Sequence, residues 1–162
     1  MASIYEYIYQ SENFTKIDLS EYLKTLIERT IYNYDFKKTL AKKIELEQIF
    51  VSLDIATPIA LITSELVSNA FKHAFSDKEE PYLEIKLKKI EENRYSLTIN
   101  DNGIGIPENI DAYSDKTFGF MLVNLLVKQI NGEIKVKVEN GTEITILFSD
   151  NLYNKKKMLD IK

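Results

Sequence analysis

Apolar residues recur along this chain at two periods, and each period predicts a different kind of element. At helical spacing, Leu19, Leu23, Leu26, Ile27 and Ile31 form one stripe. It opens at Asp18-Leu19-Ser20-Glu21, where Asp18 can accept amide hydrogen bonds and Glu21 can reach back, so a helix is predicted from Asp18 to about Tyr34. A longer stripe of Ile55, Ile59, Ile62, Leu66 and Ala70 predicts a helix from Ile55 to about Phe75. Pro58 falls in its first turn, where no intrahelical donor is lost. A third helix opens at Thr117, with Phe120, Val123 and Val127 on one face and Leu122 and Leu126 broadening it, and stops at Asn131-Gly132, which suits a left-handed cap. Near the start, Ile4, Ile8 and the tyrosines at 5, 7 and 9 fit a short helix that has no partner within its own segment.

The second period is the alternation of a half-buried strand. It predicts strands at Lys43–Glu47, about Tyr82 to Lys89, Arg94 to Asn100, Glu133–Val138 and Glu143–Phe148, with a shorter apolar piece at Phe50-Val51-Ser52-Leu53. Glu91-Glu92-Asn93 and Asn140-Gly141 read as hairpin turns. Pro107 to Lys116 is polar, acidic and without period, so it reads as a loop, and the lysine-rich stretch from Ser149 reads as a frayed tail.

Composition narrows the possibilities. A chain of 162 residues with 44% apolar content supports a single domain with a real core. A net charge of −4 argues against nucleic acid or an anionic membrane surface as the main partner. The absence of cysteine removes disulfides and thiolate metal sites, which suits the cytoplasm, and a single histidine removes a multi-histidine metal site. No apolar run reaches the ~20 residues needed to span a bilayer, so no direct membrane insertion is expected of this segment.

The candidate chemistry sits in three places. On the otherwise apolar helix from Ile55, Glu65, Asn69 and His73 recur every fourth residue as a polar stripe with Lys72 beside it; a solvated helix face is the plainer alternative. The strand ending at Asn100 runs into Asp101-Asn102-Gly103-Ile104-Gly105-Ile106-Pro107, which places a carboxylate at the floor of a glycine-walled pocket, although Asp-Asn-Gly is also a tight-turn string. The third is Thr117-Phe118-Gly119-Phe120, a glycine at a helix start.

In order and spacing, these pieces resemble the ATP-binding catalytic domain of sensor histidine kinases, in the superfamily shared with type II DNA topoisomerases, heat-shock chaperones and mismatch-repair ATPases. Glu65-Leu66-Val67-Ser68-Asn69-Ala70-Phe71-Lys72-His73-Ala74-Phe75 matches that family's first box, Asp101 to Ile106 its second, and Gly141-Thr142-Glu143-Ile144 its last. The resemblance runs from about Asp18 to Phe148. It implies an α+β fold of the Bergerat type, a two-layer sandwich whose mixed, mostly antiparallel sheet is covered on one face by about three helices. One departure is visible: the box after the lid usually carries two glycines, and here it has only Gly119.

The resemblance also implies roles. Asp101 would accept a hydrogen bond from the adenine amino group, which guanine cannot donate, with Thr142 supplying an adenine-side hydroxyl through water. Asn69 would give an amide oxygen to Mg²⁺, Lys72 would neutralise phosphate charge, and amides near Thr117 and Gly119 would hold phosphate oxygens. Gly103 and Gly105 would let the nucleotide lie against the chain, Glu65 would act as the catalytic carboxylate, and His73 would line the pocket. The implied protein transfers the γ-phosphoryl of ATP to a histidine on a dimerisation domain absent from this chain and hands it to a response regulator. Residues 1–17 would be the remnant of an upstream dimerisation helix or linker, 18–150 the catalytic domain and 151–162 a flexible tail, the isolated domain a cytoplasmic monomer whether the full-length protein is soluble or membrane-anchored. An ATP-dependent conformational module, or a serine kinase of the anti-sigma type, lives on the same architecture.

Overall fold

A computed structural model describes residues 16–34, 38–107 and 118–150. The expected Ile4–Tyr9 helix, nearly all of the Pro107–Lys116 loop, Thr117 and the lysine-rich tail lie outside the described residues.

Strand β1 (Ile17–Asp18) leads directly into helix α1 (Leu19–Asn33). Asp18 caps this helix: its carboxylate accepts the Glu21 amide at 3.2 Å, the Ser20 hydroxyl at 2.6 Å and the Gln48 side-chain amide at 2.9 Å. These donors, the Ser20 hydroxyl first, hold the carboxyl below its usual range. Leu19, Leu23 and Ile27 are buried as the stripe predicts, and Leu26 and Ile31 pack against them partly exposed.

Next come β2 (Ala41–Leu46), β3 (Phe50–Val51) and helix α2 (Leu53–Asn69), which continues as a π turn over Ala70–Ala74. Strand β3 is shorter than the apolar piece in the sequence because Ser52 is already the N-cap of α2 and Leu53 its first residue. After the π turn follow β4 (Tyr82–Glu91), β5 (Arg94–Asp101), helix α3 (Phe118–Gln129), β6 (Glu133–Val138) and β7 (Thr142–Ser149). Asn131, at φ 52°, takes the left-handed position that ends α3; the Gly132 amide reaches back to the Val127 carbonyl at 2.9 Å and the Asn131 amide to Lys128 at 3.0 Å.

The main sheet has the order β2-β4-β5-β7-β6. Only the β2–β4 pair is parallel, because the chain between them crosses over through α2, and the remaining pairs are antiparallel. Leu83, Ile85, Leu87, Leu97, Ile99, Ile144 and Ile146 join the helices in one core, while the alternate positions form a polar face. On that face Lys86 pairs with Glu84 at 2.8 Å and Thr98 meets Thr145 at 3.2 Å. The architecture is therefore the two-layer α+β sandwich that the boxes imply. Among the described residues, no helix is long and apolar enough to cross a membrane.

Helix α2 is the spine of the core. Ile55, Ile59, Ile62, Leu66 and Val67 are buried along it, and each such burial is worth about 1.5–3 kcal/mol. Packing of that size, rather than propensity, holds a helix with so many β-branched residues. Its N-terminus is fastened from far away: Asp150, just past β7, accepts the Ser52 backbone amide at 2.8 Å and the Ser52 hydroxyl at 3.2 Å. Ser52 makes no cap hydrogen bond with its own side chain, so the carboxylate supplies what the local sequence does not. Replacing Asp150 with Ala should lower stability by about 1–2 kcal/mol in urea unfolding, with Asp150→Asn retaining part of it. An unchanged midpoint in both variants would show that the long-range cap is dispensable.

Candidate functional site

The last turn of α2 presents Glu65 and Asn69, both half-buried. Helix α3 begins directly on top of them. A β-carbon built at Gly119 would lie 2.6 Å from Glu65 Oε1 and 3.5 and 3.6 Å from the Asn69 side-chain nitrogen and oxygen. Any larger residue would displace the carboxylate, so the glycine at the helix start keeps room beside the Glu/Asn pair.

Beyond Asn69 the helix widens. The Phe75 amide donates to the Ala70 carbonyl at 3.0 Å, an i→i+5 bond, so the continuous α-helix expected to Phe75 is interrupted. Aromatic packing holds this turn: Phe71 stacks on Tyr34 with centroids 5.0 Å apart and meets Phe75 edge-on at 5.6 Å. The wider turn breaks the four-residue rhythm, which corrects the expected stripe. His73 no longer follows Asn69 at α-helical spacing, and both His73 and Lys72 are exposed.

Asp101 closes β5, opposite Thr142 at the start of β7. Its carboxylate accepts the Gly103 amide at 2.9 Å. Burial pushes this carboxyl above its ordinary value, and the amides of Gly103 and Thr142 draw it partly back. Asn102, read in the sequence as part of a turn, is a fastener: its side chain accepts the Tyr82 amide at 2.8 Å and donates to the Glu80 carbonyl at 2.9 Å.

The glycines here have different reasons. Gly105 has φ +79°, the left-handed conformation expected of it, and packs on Val138. Gly103 does not leave a wall open for a ligand as the sequence reading holds. A β-carbon there would lie 2.3 Å from Ala74 Cβ and 2.5 Å from the Ala74 carbonyl oxygen, so the space is filled by the end of the π turn. The Ile104 amide donates to that same carbonyl at 3.2 Å. Gly141, with φ +128°, brings its α-carbon so close to Asp101 that a β-carbon would sit 1.8 Å from the Asp101 carbonyl. The sequence reading gave Ala74 no role and Gly141 only that of a hairpin turn; small residues in contact across elements leave no periodic signal.

The structure thus groups Glu65, Asn69 and Gly119 at one end, and Asp101, Gly103, Gly105 and Thr142 at the other, with the π turn between them. Lys72 and His73 stand exposed on that turn, and Thr117 lies outside the described residues. Among the described residues, no group of three or more acidic, histidine or cysteine side chains gathers as a metal cage. The Asn69 amide oxygen could serve as a ligand to a hard cation such as Mg²⁺, which usually keeps several waters and takes phosphate oxygens.

An open-faced sheet with its helices on one side, a Glu-x-x-x-Asn helix end and an Asp-x-Gly-x-Gly strand exit define the class of ATP-binding domains named above. The sequence profile of the family described as "Histidine kinase-, DNA gyrase B-, and HSP90-like ATPase" matches residues 54–151, and the chain belongs to that family. It is 28% identical over 131 residues to blue-light-activated histidine kinase 2 of Erythrobacter litoralis, which covers 80% of this chain and 38% of that protein. It is 30% identical over 89 residues to the nitrate/nitrite sensor protein NarX of Escherichia coli, covering 54% of this chain and 14% of NarX. The chain therefore spans well under half the length of either curated relative. The solved histidine kinase domain of the Erythrobacter litoralis blue-light activated kinase shares the fold, with a TM-score of 0.80 at 24% identity over 86% of this chain and 64% of that one.

The raised pKa of Asp101 gives a test of the site's electrostatics. The folded chain holds that proton more tightly than the unfolded chain does, so the group's favourable contribution is present below the unfolded value and lost as pH rises through the raised folded one. Asp101→Asn removes the buried charge, and it should be at least as stable as the parent at neutral pH, with the advantage shrinking toward acid. Urea unfolding across pH checks this; a variant clearly less stable at neutral pH would contradict the burial cost.

Proposed function

We propose that this chain is the catalytic domain of a sensor histidine kinase, which binds ATP with Mg²⁺ and transfers the γ-phosphoryl to a histidine carried by a separate dimerisation segment. The observation that carries the reading is the placement of Gly119 against Glu65 and Asn69, which holds a carboxylate and a neutral amide side by side at a helix start. The family membership supports it, as do relatives that are themselves named histidine kinases.

In this reading the two ends of the site divide the nucleotide. Asp101 accepts from the adenine amino group, with Thr142 beside it, and guanine would present a carbonyl to that carboxylate instead. At the other end Asn69 offers an amide oxygen to Mg²⁺, whose charge on the phosphates would stabilise the transferring group. In this reading the first-turn amides of α3, which begins at Phe118, hold phosphate oxygens, with Gly119 among them, and Lys72 adds positive charge from the exposed side of the π turn. Glu65 orients the acceptor imidazole and takes its proton as the ring nitrogen attacks the γ-phosphorus and ADP departs; in such transfers positioning contributes most of the acceleration. His73, exposed on the π turn, borders the pocket and is not the acceptor, because in-line attack requires a nucleophile opposite the leaving group. The acceptor segment and a downstream response regulator are the partners this reading names.

Isothermal calorimetry should show ATP or ADP with Mg²⁺ binding well above GTP, and Asp101→Asn should weaken ATP by about 1–3 kcal/mol. Equal affinity for ATP and GTP would sink the reading.

A phosphotransfer assay tests the chemistry. With labelled ATP the isolated chain should stay unlabelled, and acid-labile label should appear on a histidine-bearing dimerisation helix pair supplied in trans. Gly119→Ala should keep the fold and lower transfer on the order of 10- to 100-fold by displacing Glu65. Label on the isolated chain that disappears in His73→Gln would refute the separate-acceptor scheme.

A further inference from the structure

The geometry points to Ala74 as the positioning residue that sets the span between the base-reading end of the site and its metal and phosphate end. The inference rests on the nucleotide-binding reading above and extends it to a residue that was given no nucleotide contact there.

Asn69 is the last α-helical residue of α2, and the π turn starts at the next position. The turn finishes at Ala74, which is buried, and there it meets the exit of β5 without any slack. Seen from Gly103, Ala74 presents its Cβ, carbonyl carbon and carbonyl oxygen, at 2.3, 2.7 and 2.5 Å from where a β-carbon would be. Gly103 is not in a left-handed conformation, so the glycine is required by this approach and not by its backbone angles. The contact is also hydrogen-bonded, from the Ile104 amide to the Ala74 carbonyl at 3.2 Å.

Gly103 passes the position on. Its amide donates to Asp101 Oδ1 at 2.9 Å, which fixes the direction of the carboxylate. A continuous rigid path therefore runs from Asn69 through the π turn to Ala74, across to Gly103 and into Asp101. The turn cannot slide, since Phe71 and Phe75 are buried on one side and Lys38 donates to the carbonyls of Ser76 and Lys78 just beyond it, at 3.4 and 2.7 Å. A larger side chain at position 74 would push the glycine loop away from α2 and turn Asp101 relative to Asn69.

Base discrimination is the readout that separates this from a structural role. The phosphate and metal contacts are common to ATP and GTP, whereas Asp101 distinguishes the bases, so a displaced Asp101 narrows the ATP:GTP affinity ratio. Partial unfolding would lower the calorimetric stoichiometry and leave the ratio of the folded fraction untouched. Ala74→Val should weaken ATP about tenfold or more and shrink the ratio. Ala74→Ser, which adds a single atom, should fall between parent and Val, and Ala74→Gly, which keeps the carbonyl and adds no volume, should stay within about threefold of the parent. A folded Ala74→Val with an unchanged ratio overturns the inference; if that variant does not fold, an unchanged ratio in Ala74→Ser overturns it. A parent chain without preference for ATP overturns the adenine reading itself, which is a separate and recognisable failure.

Discussion

The site depends on helix α2 being fixed at both of its ends. At the start, Asp150 holds the Ser52 amide and hydroxyl from the end of β7; at the finish, the Ala74 carbonyl is bonded to Ile104 and pressed against Gly103. Between these anchors Ile59, Ile62 and Val67 are fully buried, so the helix can neither rotate nor translate without opening the core. Glu65 and Asn69 sit in the last turns of a helix whose apolar face is already fixed in the core. Their position is a by-product of packing, and that makes a pre-set site possible.

The same rigidity explains why an awkward carboxylate is tolerated. Asp101 is placed where burial raises its pKa, and only the amides of Gly103 and Thr142 oppose that cost. A chain selected for stability alone would have a neutral residue here. Sites of this kind are commonly destabilising in the free protein, because the group that awaits a ligand has given up water without yet gaining its partner. Gly141 stands at φ +128°, and glycine is the one residue type that takes this conformation without strain and leaves room for the Asp101 carbonyl.

Much of the fold was legible because it is written in local periodicity. The stripes of α1 and α2, the alternation in β4, β5 and β7, and the turn residues at Asn93 and Asn140, which both adopt positive φ, follow from rules that act over a few residues. The candidate site was legible through its boxes, and Glu65, Asn69 and Gly119 do converge. What escaped were interactions between residues far apart in the chain. The π turn over Ala70–Ala74 keeps an α-helical sequence pattern and is set by where Tyr34 and Phe71 stack. The cap on Ser52 comes from a residue 98 positions away, and Gly103 looks like any loop glycine until Ala74 is seen against it. Propensity has no access to such terms.

The single glycine at the start of α3 follows from the same geometry. The steric demand on the start of α3 is met at Gly119, the position that lies against Glu65 and Asn69. Its neighbour Phe120 is half-buried against the core and Met121 is 41% exposed, so each has somewhere to go that does not compete with the carboxylate. A second glycine would add backbone freedom at a helix start, where ordering it costs up to about 1 kcal/mol relative to Ala. With room already secured beside Glu65, the residues that follow can instead be apolar: Val123, Leu126 and Val127 bury themselves against the core and hold the helix start in place over α2. The chain thus keeps the clearance its Glu/Asn pair needs at one residue and uses the next turns to make that clearance permanent.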